Sequence, residues 1–309
     1  MTLAITGGTG FIGTHLVEYA LSQGRQVILL ARDKSKAERL FPPVFFPKVT
    51  CVTYDPYQMG EWVQALAGCE AVVNLAGASI AGRRWTRAVK AEIRRSRVET
   101  TKVLVQALQT LDQPPPVLVN ASAIGFYGSD ANKTFDEYSF AGNGFLADVC
   151  QGWEQAVDVG LPSTVRAVKV RIGVVLGYGG ALARILPIFQ AGAGGVIGSG
   201  KQWFSWIHRS DLVRLILWSI DNPAIKGVVN GTAPQPVTNA EFTTALAQVL
   251  GRPAFLPVPA LALQVLLGES ASVILEGQRV IPQKAQLNGF QFLYPDIVSA
   301  LQEIIGKSA

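Results

Sequence analysis

Three glycines, Gly7, Gly10 and Gly13, follow a short apolar run from Leu3 to Thr6, and Ile12, Leu16 and Ala20 recur at helical spacing until Gly24 stops the pattern. The order is strand, glycine turn, helix, and the chemistry it suits is holding a pyrophosphate. One glycine makes the tight turn, one lets backbone approach the phosphates, and one lets the helix pack closely on the strand, while the helix N-terminus faces the negative charge. A glycine triplet alone is equally an ordinary glycine-rich turn. A second apolar run, Val27 to Leu30, stands where a βαβ unit requires its second strand, and that context favours a dinucleotide.

The second strand ends at Ala31-Arg32, where an NAD site would present a carboxylate to the ribose 2′-hydroxyl. Arg32, with Lys34 and Lys36 after it, suits a 2′-phosphate instead, so the expected cofactor is NADP(H). The bland alternative is a solvated basic loop.

The elements that must position these residues alternate along the chain. Apolar runs at residues 49–53, 71–77, 117–122, 165–172 and 227–230 read as further strands. Helical patterns cover about 86–111, 145–159 and 211–219; a capping box at Thr238–Glu241 opens another helix closed by Gly251, and 260–267 and 296–305 complete the tail. Strands alternating with helices predict an α/β fold, a Rossmann doubly wound parallel sheet, with ligands at the carboxyl ends of its strands. Gly77 should then lie beside the cofactor, and Tyr54-Asp55 could meet an adenine. From about Val174 glycines crowd a stretch ending Trp203-Phe-Ser-Trp206-Ile-His208, where a smaller, mixed substrate lobe should begin. The expected partition is 1–173, with 209–232 returning to it, as the NADP-binding domain, and 174–208 with 233–309 as the C-terminal lobe.

Hydrophobic residues make up 49% of the 309 and charged ones 16%, which fits a filled α/β core and excludes disorder. Cys51, Cys69 and Cys150 show no paired spacing, and with only His15 and His208 beside them no metal site is expected; buried single thiols are the reading. The first strand begins at residue 2, leaving no room for a signal peptide, and no apolar run reaches the ~18 residues of a membrane span. A soluble, reducing, cytoplasmic setting is expected, or a plastid stroma if a transit peptide has been removed. The net charge of +5 is uneven, with Arg83, Arg84, Arg87, Lys90, Arg94, Arg95 and Arg97 in one segment. No aromatic platform accompanies them, so a solvated helix face with one or two phosphate-contacting arginines is expected, and no nucleic acid.

The motifs TGGTGFIG near the start, NLAG at 74–77, SRVETT at 96–101, SAIGFYG at 122–128, VRIGVVLG at 170–177 and IGSGKQWFSWIH at 197–208 resemble the atypical extended short-chain dehydrogenases of epimerase family 39U. The resemblance runs the full length, including a C-terminal domain from near Arg252. It implies an NADP-dependent oxidoreductase or a nucleotide-sugar epimerase-like enzyme of unassigned substrate. Carried over by position, its cofactor contacts fall on the glycine turn with Phe11 and Ile12, on Arg32, on Leu75 and Ala76, on Glu92 and Arg97, and on Val175. Cyanobacterial and plastid relatives are called cell-division inhibitors, which implies the alternative of a non-catalytic NADP(H)-binding regulator acting through a protein partner; a homodimer is the other association kept open.

Catalytic relatives carry a serine with Tyr-x-x-x-Lys, the lysine lowering the tyrosine pKa for proton transfer during hydride transfer. Ser122 matches the serine, but the helix reads FLADVCQGWEQ, placing Leu146 at the tyrosine position and Cys150 at the lysine position, and no other Tyr-x-x-x-Lys occurs. Tyr127 and His208 are the substitute proton donors to weigh, although a tyrosine there is more often a packing residue and such a histidine more often a satisfied interior or cofactor-side one, and Arg171, Gln202 and Trp206 could line a substrate pocket.

Overall fold

In the computed structural model, which describes residues 1–306, the chain runs β1 (Thr2–Thr6), α1 (Phe11–Ser22), β2 (Gln26–Ala31), α2 (Lys34–Leu40), β3 (Val49–Thr53), β4 (Ala71–Asn74), α3 (Arg87–Gln109) and β5 (Val117–Ala123). There follow β6 (Asp130–Phe135), α4 (Phe145–Asp158), β7 (Arg166–Ile172), β8 (Val174–Leu176) and α5 (Leu182–Gln190). Next come β9 (Trp203–Phe204), β10 (Trp206–His208), α6 (Arg209–Asp221), β11 (Gly227–Gly231), β12 (Val237–Thr238) and α7 (Asn239–Leu250). The tail holds α8 (Ala260–Leu267), α9 (Ser272–Leu275), β13 (Gln278–Val280), α10 (Gln283–Leu287) and α11 (Ile297–Gly306).

Seven strands form one parallel sheet in the order β11-β7-β5-β4-β1-β2-β3. This is the doubly wound arrangement expected, and its order reverses at β1, the point at which sheets of this kind hold ligands at the carboxyl ends of their strands. Successive strand residues point to opposite faces, and here both faces are apolar. Leu3, Ile5, Leu29, Val73, Val119 and Val170 meet Leu16 and Val17 of α1 and Leu212, Val213, Leu215 and Ile216 of α6 on one side. Ala4, Leu30, Val72 and Leu118 meet Leu104, Val105 and Leu108 of α3 and Val157 of α4 on the other. Burial of some 1.5–3 kcal/mol per large side chain in these layers fixes the strand ends that carry the site.

A third cluster, with Trp206, Leu182, Phe242, Leu246 and Leu301, forms the core of the C-terminal lobe. The tail also returns to the sheet domain, where β13 pairs in parallel with β6. The capping box is present, with Thr238 accepting from Glu241 N–H and Glu241 reaching back, and Gly251 ends α7 at φ 61°. One local expectation is corrected: the fourth strand stops at Asn74, where the backbone of Leu75 and Ala76 comes close against Gly7. The segment after Arg32 forms α2, capped by Asp33. Residues 307–309 of the expected lobe lie outside the described residues. Among the described residues no helix is long and apolar enough to cross a membrane.

Candidate cofactor and substrate site

The glycine turn is a cradle with no room for side chains. A Cβ on Gly13 would fall well inside van der Waals contact of the Gly7 carbonyl, and one on Gly7 would meet the Leu75 carbonyl carbon at 2.8 Å while needing φ +70°. Gly10 caps α1 without a side-chain hydrogen bond, so the helix opens with bare N–H groups. This geometry fits a pyrophosphate: backbone donors, a helix dipole and no Cβ in the way. Ile12 and Val175 both pack on the α1 side of the sheet.

Arg32 emerges exposed from the end of β2. The neighbouring Asp33 carboxylate accepts the Lys36 N–H at 2.9 Å as the cap of α2. The acidic group nearest the expected ribose is therefore engaged with a helix end. Lys34 pairs with Glu38 at 3.7 Å, one turn along the same exposed helix. Tyr54 is buried edge-on against Trp62, its phenol pKa raised by burial, and Asp55 accepts the Tyr57 N–H.

A polar row crosses the carboxyl ends of three neighbouring strands. Thr6 donates to Asn74 Oδ1 at 2.6 Å, and Asn74 Nδ2 donates to Asn120 Oδ1 at 2.6 Å and to Thr101 at 3.1 Å. Beyond it, α3 clamps the loop after β4. The Ala78 N–H donates to Ser96 Oγ at 3.0 Å, and the Arg97 guanidinium donates to Ala78 O at 3.0 Å and Ile93 O at 3.1 Å. That guanidinium lies against Gly77 and over Trp153, with its pKa lowered by burial. Glu92 is exposed and pairs with Arg83 at 2.8 Å. The basic segment is thus dispersed, with Arg95 on the Tyr57 ring and Lys90 on Glu269 of the C-terminal lobe.

At the end of β5 the side chains form a closed chain of hydrogen bonds. Ser122 donates to Glu154 Oε1 at 2.7 Å, and Arg171 grips the same carboxylate through Nε and Nη2, both at 2.8 Å. Arg171 Nη1 donates to Tyr127 Oη at 3.0 Å, and Tyr127 donates to Asn230 Oδ1 at 2.7 Å. Burial pushes the Tyr127 phenol up to about 12, against the pull of Arg171. Leu146 packs on Gly125, and Cys150 sits beside Gly125 with its thiol pushed up to about 11 by burial. All three cysteines are free and buried, as expected.

His208 is buried at the start of α6. Its Nδ1 accepts the Ser210 N–H at 3.1 Å, its Nε2 meets Glu303 Oε2 at 3.0 Å, and its ring lies 4.0 Å from that of Tyr294. Burial lowers its pKa, with Glu303 opposing. Two expected pocket-lining residues are instead core. Arg171 is held within the ion pair, and Trp206 is fully buried with its indole on Gln235 O, because the lobe's apolar cluster closes around it. Gln202 spans Ile197 O and Ile274 O. The structure therefore brings together the glycine turn, Leu75, Ala76, Gly77 and Arg97, and sets Ser122 one strand further along the same sheet end, buried like Tyr127 and His208. A cavity of about 540 Å³, lined by Tyr19, Arg25, Trp218 and Phe290, lies at the opposite, amino end of the strands.

Glu154 was missed by sequence reasoning. Its signal was a carboxylate on the apolar face of α4, beside Cys150, Trp153 and Val157, a place a charge occupies only with a partner.

A family model described as "NAD dependent epimerase/dehydratase family" matches residues 3–230. The human epimerase family protein SDR39U1, whose crystal structure was solved with NADPH, is 36% identical, superposes with a TM-score of 0.87 and covers 99% of each chain. The chain belongs to this epimerase family, in its SDR39U1 branch. The chloroplastic SDR39U1 homolog of Arabidopsis thaliana is 46% identical over 99% of this chain and 87% of that protein. Residues 258–304 match a second model, a domain of unknown function, DUF1731. UDP-glucuronic acid 4-epimerase of Bacillus cereus, at 16% identity and a TM-score of 0.79, shares the fold.

Proposed function

We propose that this chain binds NADP(H) in the glycine cradle and acts as an oxidoreductase or epimerase-like enzyme on a small polar substrate. In this reading residues 1–173 with 209–232 hold the cofactor, and 174–208 with 233–309 close over the substrate. The cradle carries the reading: Gly7 and Gly13 stand where any Cβ would collide with backbone, and the helix they lead into has no side-chain cap. The NADPH-bound human relative supports it. Backbone at Gly10, Phe11 and Ile12 holds the pyrophosphate, Arg32 the 2′-phosphate, and Leu75, Ala76 and Gly77 form the wall that α3 braces through Arg97; Glu92 and Val175 border the same site.

Bound there, the nicotinamide supplies the hydride donor or acceptor. Proton handling falls to Ser122: a substrate hydroxyl gives its proton to Oγ as Ser122 passes its own to Glu154, and Arg171 holds that carboxylate in place. Screening for NADPH consumption with sugar nucleotides, aldehydes and quinones, for the wild type and Ser122→Ala, tests this. Turnover that Ser122→Ala lowers at least ~100-fold, at the lower limit for removing one positioned acid or base, supports it. Silence across all three classes counts against it.

Leu146 and Cys150, where relatives place tyrosine and lysine, favour one other reading: NADP(H) as a sensing ligand, with output through a protein partner of the kind the cell-division association implies. Partner capture with NADPH and with NADP⁺ tests it, and identical partner sets in the two states would remove it.

A further inference from the structure

Arg209, the first residue of α6, is a cation without a carboxylate. Among the described residues no salt bridge or hydrogen bond engages its guanidinium, although the side chain is only partly exposed. Glu18 and Glu303 act on it from beyond ion-pair distance, and desolvation lowers its pKa.

Its surroundings say what the charge is for. The guanidinium carbon stands 4.9 Å from the centroid of the Phe11 ring, and Phe11 is the first residue of α1. The chain after β8 lies across the same ring: a Cβ on Gly177 would come within 3.2 Å of both Arg209 Nε and Phe11 Cζ, and one on Gly180 within 2.7 Å of Phe11 Cε1. Glycines at 177 and 180 thus let the backbone settle on Phe11, and Phe11 and Gly177 together fix the arginine stem beside the amino end of α1. The two helix starts lie together but differ. At α6 the Ser210 N–H is satisfied by His208, whereas α1 has no side-chain cap. A partly buried guanidinium with no internal anion lowers its cost by meeting one from outside. The helix end beside it is built to hold such an anion.

We infer that Arg209 is a second cationic contact of the dinucleotide, directed at the pyrophosphate, with Phe11 and the 177–180 glycines holding it in place. The inference rests on the NADP(H) reading above and deepens it, because it divides recognition between two arginines. Arg209 serves the diphosphate common to NADH and NADPH, and Arg32 serves the 2′-phosphate that only NADPH carries.

The test is calorimetric titration of the full chain with NADPH, NADH, ADP and adenosine 2′-monophosphate, for the wild type, Arg209→Met and Arg32→Ala. Methionine keeps an apolar stem on Phe11 and removes the charge. Arg209→Met should weaken NADPH, NADH and ADP alike by ~10-fold and leave adenosine 2′-monophosphate unchanged, while Arg32→Ala should weaken NADPH and adenosine 2′-monophosphate and leave NADH and ADP nearly unchanged. Wild-type NADPH affinity in Arg209→Met overturns the inference, as does a loss confined to the 2′-phosphorylated ligands. A wild type that binds neither dinucleotide overturns the cofactor reading and this inference together, whereas a wild type that binds both and a variant that matches it overturns Arg209 alone. Should Arg209→Met not fold, Arg209→Gln stands in with the same outcomes.

Discussion

The glycine turn after β1 and the wall between β5 and α4 stand at the same end of one sheet, yet they are made of different material. The turn is backbone: Gly7, Gly10 and Gly13 act by having no side chain, and a Cβ at either end of the set would collide with main chain. The wall is side chain: Ser122, Glu154, Arg171, Tyr127 and Asn230 satisfy one another, and Leu146 and Cys150 pack beside Gly125. A site made by excluding side chains tolerates almost no substitution, because every other residue blocks it. One made of side chains can be rewritten on an unchanged helix, since the backbone of α4 accepts many residue types at one position. The same fold can therefore keep a cofactor cradle while the side chains of the neighbouring wall change.

The comparison breaks most sharply at Glu154. Glu154→Ala leaves the Arg171 charge buried without its partner and should cost about 3–5 kcal/mol in denaturant unfolding. A cost near zero would mean that the wall is not held by this pair. Next is Leu146→Tyr with Cys150→Lys, which writes a Tyr-x-x-x-Lys pattern into α4. Cys150 lies in a buried space between Arg97 and Glu154, so the new ammonium meets desolvation and a neighbouring guanidinium. A lowered melting temperature without turnover is expected, and an unchanged melting temperature with new NADPH turnover would make the wall a dormant relay. On the other side of the comparison, Gly13→Ala should cost about 1–3 kcal/mol by overpacking and remove NADPH binding, leaving the wall intact. Binding at wild-type strength would show that the cradle yields more than its geometry says.

The strand ends were legible for a physical reason. Runs such as Ala71 to Asn74 and Val117 to Ser122 are apolar on both faces only in a sheet covered on both sides, and the glycine spacing has one backbone solution that suits a dinucleotide. What the chain did not reveal locally depends on distant partners. Arg171 lies in a central strand, where a pocket role and a buried ion pair look alike until Glu154, seventeen positions earlier, is seen against it. His208 carries no local mark of being tied at both nitrogens, because Glu303 comes from α11. Arg209 became visible only when α6 was seen to start beside α1.

The smallest expected effect is in pH. Burial holds the His208 pKa below its ordinary value, so the folded state binds fewer protons there than the unfolded chain as pH falls below about 6.5. Stability is therefore full above that value and declines toward pH 5, with a slope of at most ~1.4 kcal/mol per unit from this group. His208→Asn should flatten the decline in melting temperature between pH 7 and 5, and an identical slope would assign the acid sensitivity to other groups.

The central claim, that the backbone cradle and Arg32 together make an NADP(H) site, is tested most directly by the dissociation constants of NADPH and NADH for the wild type and Arg32→Ala. The account predicts that the wild type prefers NADPH and that Arg32→Ala weakens NADPH by ~10-fold or more while leaving NADH nearly unchanged, since a charge-assisted phosphate contact is worth ~1.5–3 kcal/mol. Equal losses for the two cofactors, or none for either, would contradict it.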